Sequence, residues 1–426
     1  MTLIVIGIFS LLALAGMPLA FALGFASLAG LYAADFELVV MAQRMLHAVD
    51  SFPLMAIPLF MLAGELMVKA GMMERLVAFA NSLVGRVNGG LAHVTIIAGT
   101  ILASVSGAAV ASASALGSAL VPALRKHYPD GYNCAVIASA ANLGPVIPPS
   151  NAMIVYALMA GSAVSVGGLF MAGIVPGLLL AAGFMVIATV ISKRRQYALS
   201  GEPFNAANAW LQLRRAWAIL LMPVIVVGGI IGGIFTATEG AAIAVVYSAL
   251  IGLAVTRKLS LADLPGCLFR AAIASAMVGA LIALASTVTF LFTVEMVPQQ
   301  LAEAIKGLTS SPMVFVVLTM LLLVVVGMFL ESNAAYIMLV PLFVPIASAF
   351  GIDQLWFGFL FMFNLVVGMM TPPVGVLFFV MSGITRVPMG VIVRESTPFV
   401  AYQFAVLLLC MIYPPLVTAL PRALGF

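Results

Sequence analysis

Four short polar clusters interrupt an otherwise apolar chain, and their residue types limit the chemistry they could support. Two are tips: Ser104-Val105-Ser106-Gly107 and Glu331-Ser332-Asn333. Two are breaks: Gly144-Pro145-Val146-Ile147-Pro148-Pro149-Ser150-Asn151 and Gly368-Met369-Met370-Thr371-Pro372-Pro373-Val374-Gly375. A Pro-Pro pair cannot sit inside an unbroken helix, because proline lacks an N–H, clashes with the preceding turn and restricts its neighbour. In hydrocarbon, broken backbone is tolerated only where it is buried in protein or lines a cavity. Hydroxyls and freed carbonyls are hard oxygen ligands suited to Na⁺. Half-helix C-terminal ends add negative dipole, and N-terminal ends attract anions. Matched breaks, one per half, are the sequence mark of a secondary transporter's binding site.

On this chemistry Ser104 and Ser106 join Gly144–Ser150 in one expected cation site. Ser332 joins the stretch from Gly368 to Pro373, with the Thr371 hydroxyl, in a second. Ser150, Asn151, Glu331 and Asn333 form the expected substrate-binding set between them, suited to an anion at half-helix N-termini. Glu331 is an intramembrane carboxylate, costly and therefore a functional candidate. Three roles are open to it: ligating Na⁺, carrying a proton, or capping the helix that begins at Ser332. Ser112, Ser114 and Ser118 follow a small-residue spacing with Ala108 and Gly117 and are read as backbone-bonded packing positions. Glu239, after Thr236-Ala237-Thr238, reads as N-terminal capping chemistry. Cys134, Cys267 and Cys410 are isolated in apolar runs and read as small hydrophobes, and His47, His93 and His127 are too scattered for a metal site. There is no GxxxxGK[ST] phosphate loop, so uphill work would need an ion gradient. An enzyme using Glu331 as general acid or base would lack a nearby His, Cys or second carboxylate.

The elements that must hold these clusters are membrane helices. The 426 residues are 64% hydrophobic and 8% charged, against about 25% charged in soluble domains. Long, uniformly apolar runs exclude a β-barrel, and an all-α polytopic membrane protein follows. The basic residues are dispersed in loops, which argues against a nucleic-acid partner. Met1-Thr2-Leu3 carries no basic n-region, so the first run is expected to be a retained span rather than a signal peptide.

In order, residues 3–34 form a long run interrupted at Gly16-Met17-Pro18, either one kinked helix or two short ones. A polar connector (35–51) and a span (53–68) follow, then an amphipathic interfacial stretch over 69–86. Apolar arms 91–103 and 108–124 flank the first tip as a re-entrant hairpin. The first break and a full span, 169–191, come next. A polar linker of about 193–215 joins the halves. The second half runs through spans 216–234, 241–255 and 271–294, a short interfacial helix at 299–306, and a second hairpin with arms 313–330 and 334–350. The second break and a final span, 399–416, complete it. The expected units are therefore 1–90 (scaffold helices and interfacial arm), 91–168 (first transport half), 169–312 (scaffold with the linker), 313–390 (second transport half) and 391–426 (C-terminal span).

The halves are repeats. A displacement of 224 residues carries Pro148 onto Pro372, Gly144 onto Gly368 and Gly107 onto Glu331. They are also inverted. Lys and Arg in short loops mark the cytoplasmic side. Arg86, Arg125 and Lys126 put the first hairpin's base inside, whereas Gly351-Ile352-Asp353-Gln354 after the second hairpin has no basic residue and puts it outside. Lys193, Arg194 and Arg195, then Arg257 and Lys258, then Arg386 and Arg394 all return inside, which leaves the C-terminus outside.

Residues 106–118 (Ser-Gly then Ala-x-Ala-x-Ala-x-Gly-Ser), the Gly-Pro-x-Ile-Pro-Pro-Ser stretch, Gly351-Ile352-Asp353 with Phe357-Gly358, and Gly368-x-x-Thr-Pro-Pro-Val-Gly together resemble the large membrane subunit of tripartite ATP-independent periplasmic (TRAP) transporters. The resemblance covers essentially the whole chain. It implies an elevator-type fold with inverted repeats, two re-entrant hairpins and two broken helices. It also implies import across the bacterial inner membrane coupled to two or more Na⁺, a small four-helix membrane partner, and a periplasmic binding protein delivering a carboxylate such as a sialic acid or a C4-dicarboxylate. The family's Na⁺ positions carry over to Ser104, Ser106, Gly144, Ile147, Pro149, Gly327, Ser332, Gly368, Thr371 and Pro373. Ala108 stands where the family often has Ser, which puts one ligand in doubt, and Gln354 replaces a common Pro. The alternative is an autonomous Na⁺- or H⁺-coupled carboxylate symporter that needs no binding protein.

Overall fold

A computed structural model describes every residue except 85, 200–202 and 310, and the side chains of all of these except 103–106 and 308. Among the described residues the secondary structure is helical throughout. The chain opens with α1 (Thr2–Leu14), α2 (Leu19–Ala33), α3 (Val39–Val49), α4 (Ala56–Lys69) and α5 (Met72–Val84). The first hairpin is α6 (Gly90–Ser106) and α7 (Ala109–Leu124), and the first broken pair is α8 (Asp130–Ala141) and α9 (Asn151–Ala160). Then come α10 (Val166–Arg194), α11 (Ala206–Ile231), α12 (Ala237–Leu250, extended by a π-turn over Ile251–Thr256), α13 (Leu264–Val294) and α14 (Val297–Leu308). The second hairpin is α15 (Pro312–Phe329) and α16 (Ser332–Ala349), the second broken pair α17 (Gln354–Gly368) and α18 (Val376–Thr385), and α19 (Met389–Ile412) and α20 (Pro415–Ala423) close the chain.

The 224-residue displacement holds at the level of elements. It carries the first residue of α8 onto the first of α17, and the bounds of α7 to within one residue of those of α16. Both broken helices are enclosed: α8 is buried from Gly131 to Ala141 and α17 from Trp356 to Gly368. Helices apolar on every face belong inside a bundle. The halves meet at their own equivalents. Asn142 Nδ2 at the end of α8 donates to the Val366 carbonyl of α17 (3.1 Å) and to Gln403 Oε1 of α19 (2.7 Å); the displacement maps Asn142 onto Val366.

Among the described residues eight helices are long and apolar enough to cross a membrane: 52–69, α10, α11, α12 with its π-turn, α13, α15, α16 and α19. The arms of the first hairpin fall short of that length, and those of the second reach it. Both tips nonetheless meet the middle of a broken pair, as re-entrant hairpins would.

Several boundaries differ from the sequence reading, for local reasons. The first run is two helices, because Gly16 adopts φ +85° ahead of Pro18. The 35–51 connector contains α3. The linker is helical from Ala206, where Asn205 Oδ1 accepts from the N–H groups of Ala207 (2.9 Å) and Asn208 (3.4 Å) as an N-cap. The final span begins ten residues early at Met389, and 415–423 is a separate helix packed on α10. The 69–86 segment packs α5 on α6 and α11, burying Met72, Met73, Leu76 and Ala80, so its apolar stripe faces this chain. Glu239 completes a capping box, accepting from Thr236 N (2.7 Å) while Thr236 Oγ1 accepts from Glu239 N (3.3 Å).

Candidate functional site

Each tip is set directly against its break. At the first, Gly107 turns the chain with φ +59°, and its carbonyl accepts from Asn151 N at 3.4 Å. A Cβ on Gly107 would lie 2.8 Å from Asn151 N and 2.9 Å from Pro149 O, so only glycine lets these backbones approach. Gly144 lies beside Ala108. The side chains of Ser104 and Ser106 lie outside the described residues. Ala108 begins α7 in extended backbone with no side-chain cap on that helix.

At the second tip the contact is between glycines. A Cβ on Gly368 would meet the Cα, C and O of Gly327 at 2.6, 2.7 and 2.9 Å. The α15–α17 crossing is therefore backbone on backbone, the close approach that small residues permit in membranes. Glu331 caps α16: Oε2 accepts from the N–H groups of Asn333 (2.9 Å) and Ala334 (3.3 Å), and Oε1 from Asn333 Nδ2 (3.0 Å) and Ser332 Oγ (3.3 Å). Of the roles open to Glu331, capping is the one its geometry performs. Ser332 also reaches Met369 Sδ at 3.6 Å, inside the stretch against which the sequence sets it. The Thr371 hydroxyl donates to Val367 O at 2.8 Å, which leaves its oxygen lone pairs as acceptors.

The Pro148–Pro149 and Pro372–Pro373 bonds are both cis. Pro149 is buried, as is Ile147, whose side chain packs under Gly177 of α10. Pro373 is exposed on the outer side of its break.

One cavity of about 1120 Å³ joins the two sites. Gly107–Ala109, Asn151, Glu331, Ser332, Asn333 and Met369 line one wall, and residues of α2, α4 and α13 line the other. Asn151, Glu331 and Asn333 thus share one space. Ser150 does not join them. It is fully buried, its Oγ donating to Pro145 O (2.6 Å) and accepting from Met153 N (3.4 Å), so its hydroxyl is spent on the break and the α9 N-cap. Ser112, Ser114 and Ser118 line the cavity as well. Ser118 also bonds Ala115 O at 3.0 Å, the local bond expected of it. The far wall carries an ion pair, Arg270 Nε to Glu65 Oε2 at 2.7 Å. No local pattern announces it, because its members lie 205 residues apart.

The sequence is similar to those of known transport proteins. The family model described as "Tripartite ATP-independent periplasmic transporter, DctM component" matches residues 6–416. The sialic acid TRAP transporter large permease protein SiaM of Vibrio cholerae is 36% identical over 410 residues, 96% of this chain and 95% of that one. The C4-dicarboxylate TRAP transporter large permease protein DctM of Pseudomonas aeruginosa is 37% identical over 388 residues, 90% of each. Among solved structures, the YdaH transporter of Alcanivorax borkumensis superposes with a TM-score of 0.64 over 88% of both chains at 17% identity, a likeness of fold alone. These relatives are permeases, which sets aside an acid–base enzyme built on Glu331. The chain is an integral membrane transport protein and belongs to the DctM-component family of tripartite ATP-independent periplasmic transporters.

Proposed function

We propose that this chain is the carrier of a Na⁺-coupled importer of small carboxylates in a bacterial inner membrane, working by an elevator movement with a small four-helix membrane subunit and a periplasmic binding protein. The observation that carries this reading is the single cavity walled on one side by both hairpin tips and on the other by α2, α4 and α13. Moving units need such a seam, with the substrate held by one wall. The two tip-and-break contacts supply oxygen-rich pockets for Na⁺. The α7 N-terminus, without a side-chain cap, and the amides of Asn151 and Asn333 supply donors for a carboxylate. The relatives' names support sialic acid or a C4-dicarboxylate as the substrate class, and the family's tripartite description supports two further components.

Reconstitution into liposomes with the two partners tests it. Uptake of N-acetylneuraminate or succinate should require an inward Na⁺ gradient and the binding protein. Equal uptake without Na⁺ sinks the coupling, and uptake by this chain alone moves it to the autonomous symporters.

A further inference from the structure

Among the described residues that line the cavity, Arg270 carries the positive charge, facing a space otherwise lined by apolar residues, hydroxyls, amides and the carboxylates Glu65 and Glu331. It sits near the start of α13, which follows Arg257 and Lys258 and so lies at the end that the distribution of basic residues places in the cytoplasm. The same wall continues along α13 to Leu284, about 20 Å further at 1.5 Å per residue, and the residues of both tips line the same cavity. The cavity is thus a passage with polar groups at the tips and a guanidinium near the cytoplasmic end.

The guanidinium is only partly engaged. Its Nε donates to Glu65 Oε2 at 2.7 Å, and its other partner among the described residues is Cys267 Sγ at 3.6 Å, a weak acceptor. The remaining N–H groups have no protein acceptor among the described residues, and the side chain is 53% exposed. A guanidinium is built for planar, two-point recognition of a carboxylate. In Lys69–Asp263 and Lys258–Glu74, pairs on the same helices or their neighbours, the basic partner is lysine and none of the four residues lines the cavity.

We propose that Arg270 is a second carboxylate subsite on the cytoplasmic side of the passage, separate from the site at the tips, with Glu65 as the resident carboxylate that a departing substrate displaces. Ser114 and Ser118 of α7 bring hydroxyls to the same space. The exchange is between carboxylates on one guanidinium, so Glu65 limits how long the substrate is held and release stays fast. The subsite reads the carboxylate and not the rest of the molecule. The inference rests on the cavity being the substrate path.

The test needs no gradient. The full chain in lipid nanodiscs is treated with phenylglyoxal, and modification of each arginine is followed by mass spectrometry. Millimolar succinate, but not succinamide, should slow modification of Arg270 several-fold and leave Arg422 unchanged. Glu65→Gln should make Arg270 more reactive and shift protection to lower succinate concentrations. A pair that only clips α4 to α13 would show no succinate protection in either protein, and that result overturns the subsite. Loss of Na⁺ dependence in uptake would sink the coupling reading and leave protection of Arg270 intact, so the two failures are distinguishable.

Discussion

Residues 141–150, which contain the first break, are buried throughout, whereas Pro372 and Pro373 of the second are exposed. The cover over the first comes from α10. Its Gly173 leaves room for the Val146 carbonyl, which a Cβ there would overlap, and its Gly177 leaves room for Ile147. At the 224-residue displacement these glycines become Thr397 and Ala401 on α19, and Thr397 uses its hydroxyl on Val393 O of its own helix (3.1 Å). The tips differ in charge as well. The first begins α7 with Ala108 and no side-chain cap, and the second begins α16 with the Glu331 carboxylate bonded to two backbone N–H groups. One plan, duplicated, has been given opposite electrostatics. A helix N-terminus carries about half a positive charge; Glu331 sets a carboxylate against it in the second site, and Ala108 supplies none in the first. The substrate carboxylate is therefore expected at the first tip.

The largest effect that tests this contrast belongs to Gly368→Ala. The added methyl would sit under 3 Å from three backbone atoms of Gly327, with no flexible side chain to yield. Overpacking costs typically about 1–3 kcal/mol, and a backbone-on-backbone crossing belongs at the upper end. Thermal unfolding in detergent should register a loss of about 3 kcal/mol, and uptake should fall to background. A variant with wild-type stability would show that α15 and α17 do not cross as described.

Next comes Glu331→Gln. The amide oxygen can still accept from Asn333 N, but its NH₂ would confront the Ser332 hydroxyl and the Asn333 amide that now donate to Oε1. Losing charge-assisted bonds costs about 1.5–3 kcal/mol. The expected outcome is a loss near 2 kcal/mol with a raised Na⁺ requirement and an unchanged substrate KM. A raised substrate KM at saturating Na⁺ would erase the division of labour between the tips.

Much of this was legible in the chain. Proline and glycine punctuation placed both breaks, and their registration located the tips, because these residues act through local backbone geometry. Asn205 was a readable N-cap, but the polar residues after it (Asn208, Gln212, Arg214, Arg215) resembled a loop, and ten residues of α11 went unseen. Contacts between distant elements were not legible. Registration of the halves set Ser332 against the stretch that holds Met369, but nothing near Arg270 predicts Glu65. Asn142 was visible as a polar residue in an apolar run, yet its partner Val366 is specified by the two-fold relation of the halves. The residue type of Ser150 suits a ligand and an N-cap equally, and the structure spends its buried hydroxyl on Pro145 O and Met153 N.

Ser150→Ala tests the packing of the first break. The hydroxyl both caps α9 and ties back to Pro145 O, and loss of such a cap costs about 1 kcal/mol. The displacement puts Val374 at this position in the second half, where α18 begins instead from Gly375 with φ +58° and no side-chain cap. Val374→Ala should leave α18 intact. Equal destabilisation by both substitutions would mean that the two breaks are held in the same way.

The smallest effect is expected from Gly144→Ala, the repeat-related partner of Gly368→Ala. Its Cβ would meet Ala141 O at 3.2 Å and the Ala108 backbone at 3.4–3.5 Å. The first is tight and is relieved by a shift of a few tenths of an ångström, and the Ala108 distances are ordinary packing contacts. Stability should change by less than about 1 kcal/mol. The atom that must yield, however, is the Ala141 carbonyl at the end of α8, beside the break, and the tip and break together form the proposed Na⁺ pocket. Purified Gly144→Ala should thus unfold near the wild-type temperature while needing several-fold more Na⁺ for half-maximal uptake. Gly368→Ala should fail at folding and Gly144→Ala at ion affinity. If both lose stability alike, the second crossing is no tighter than the first, and the asymmetry between the half-sites reduces to the charge on Glu331.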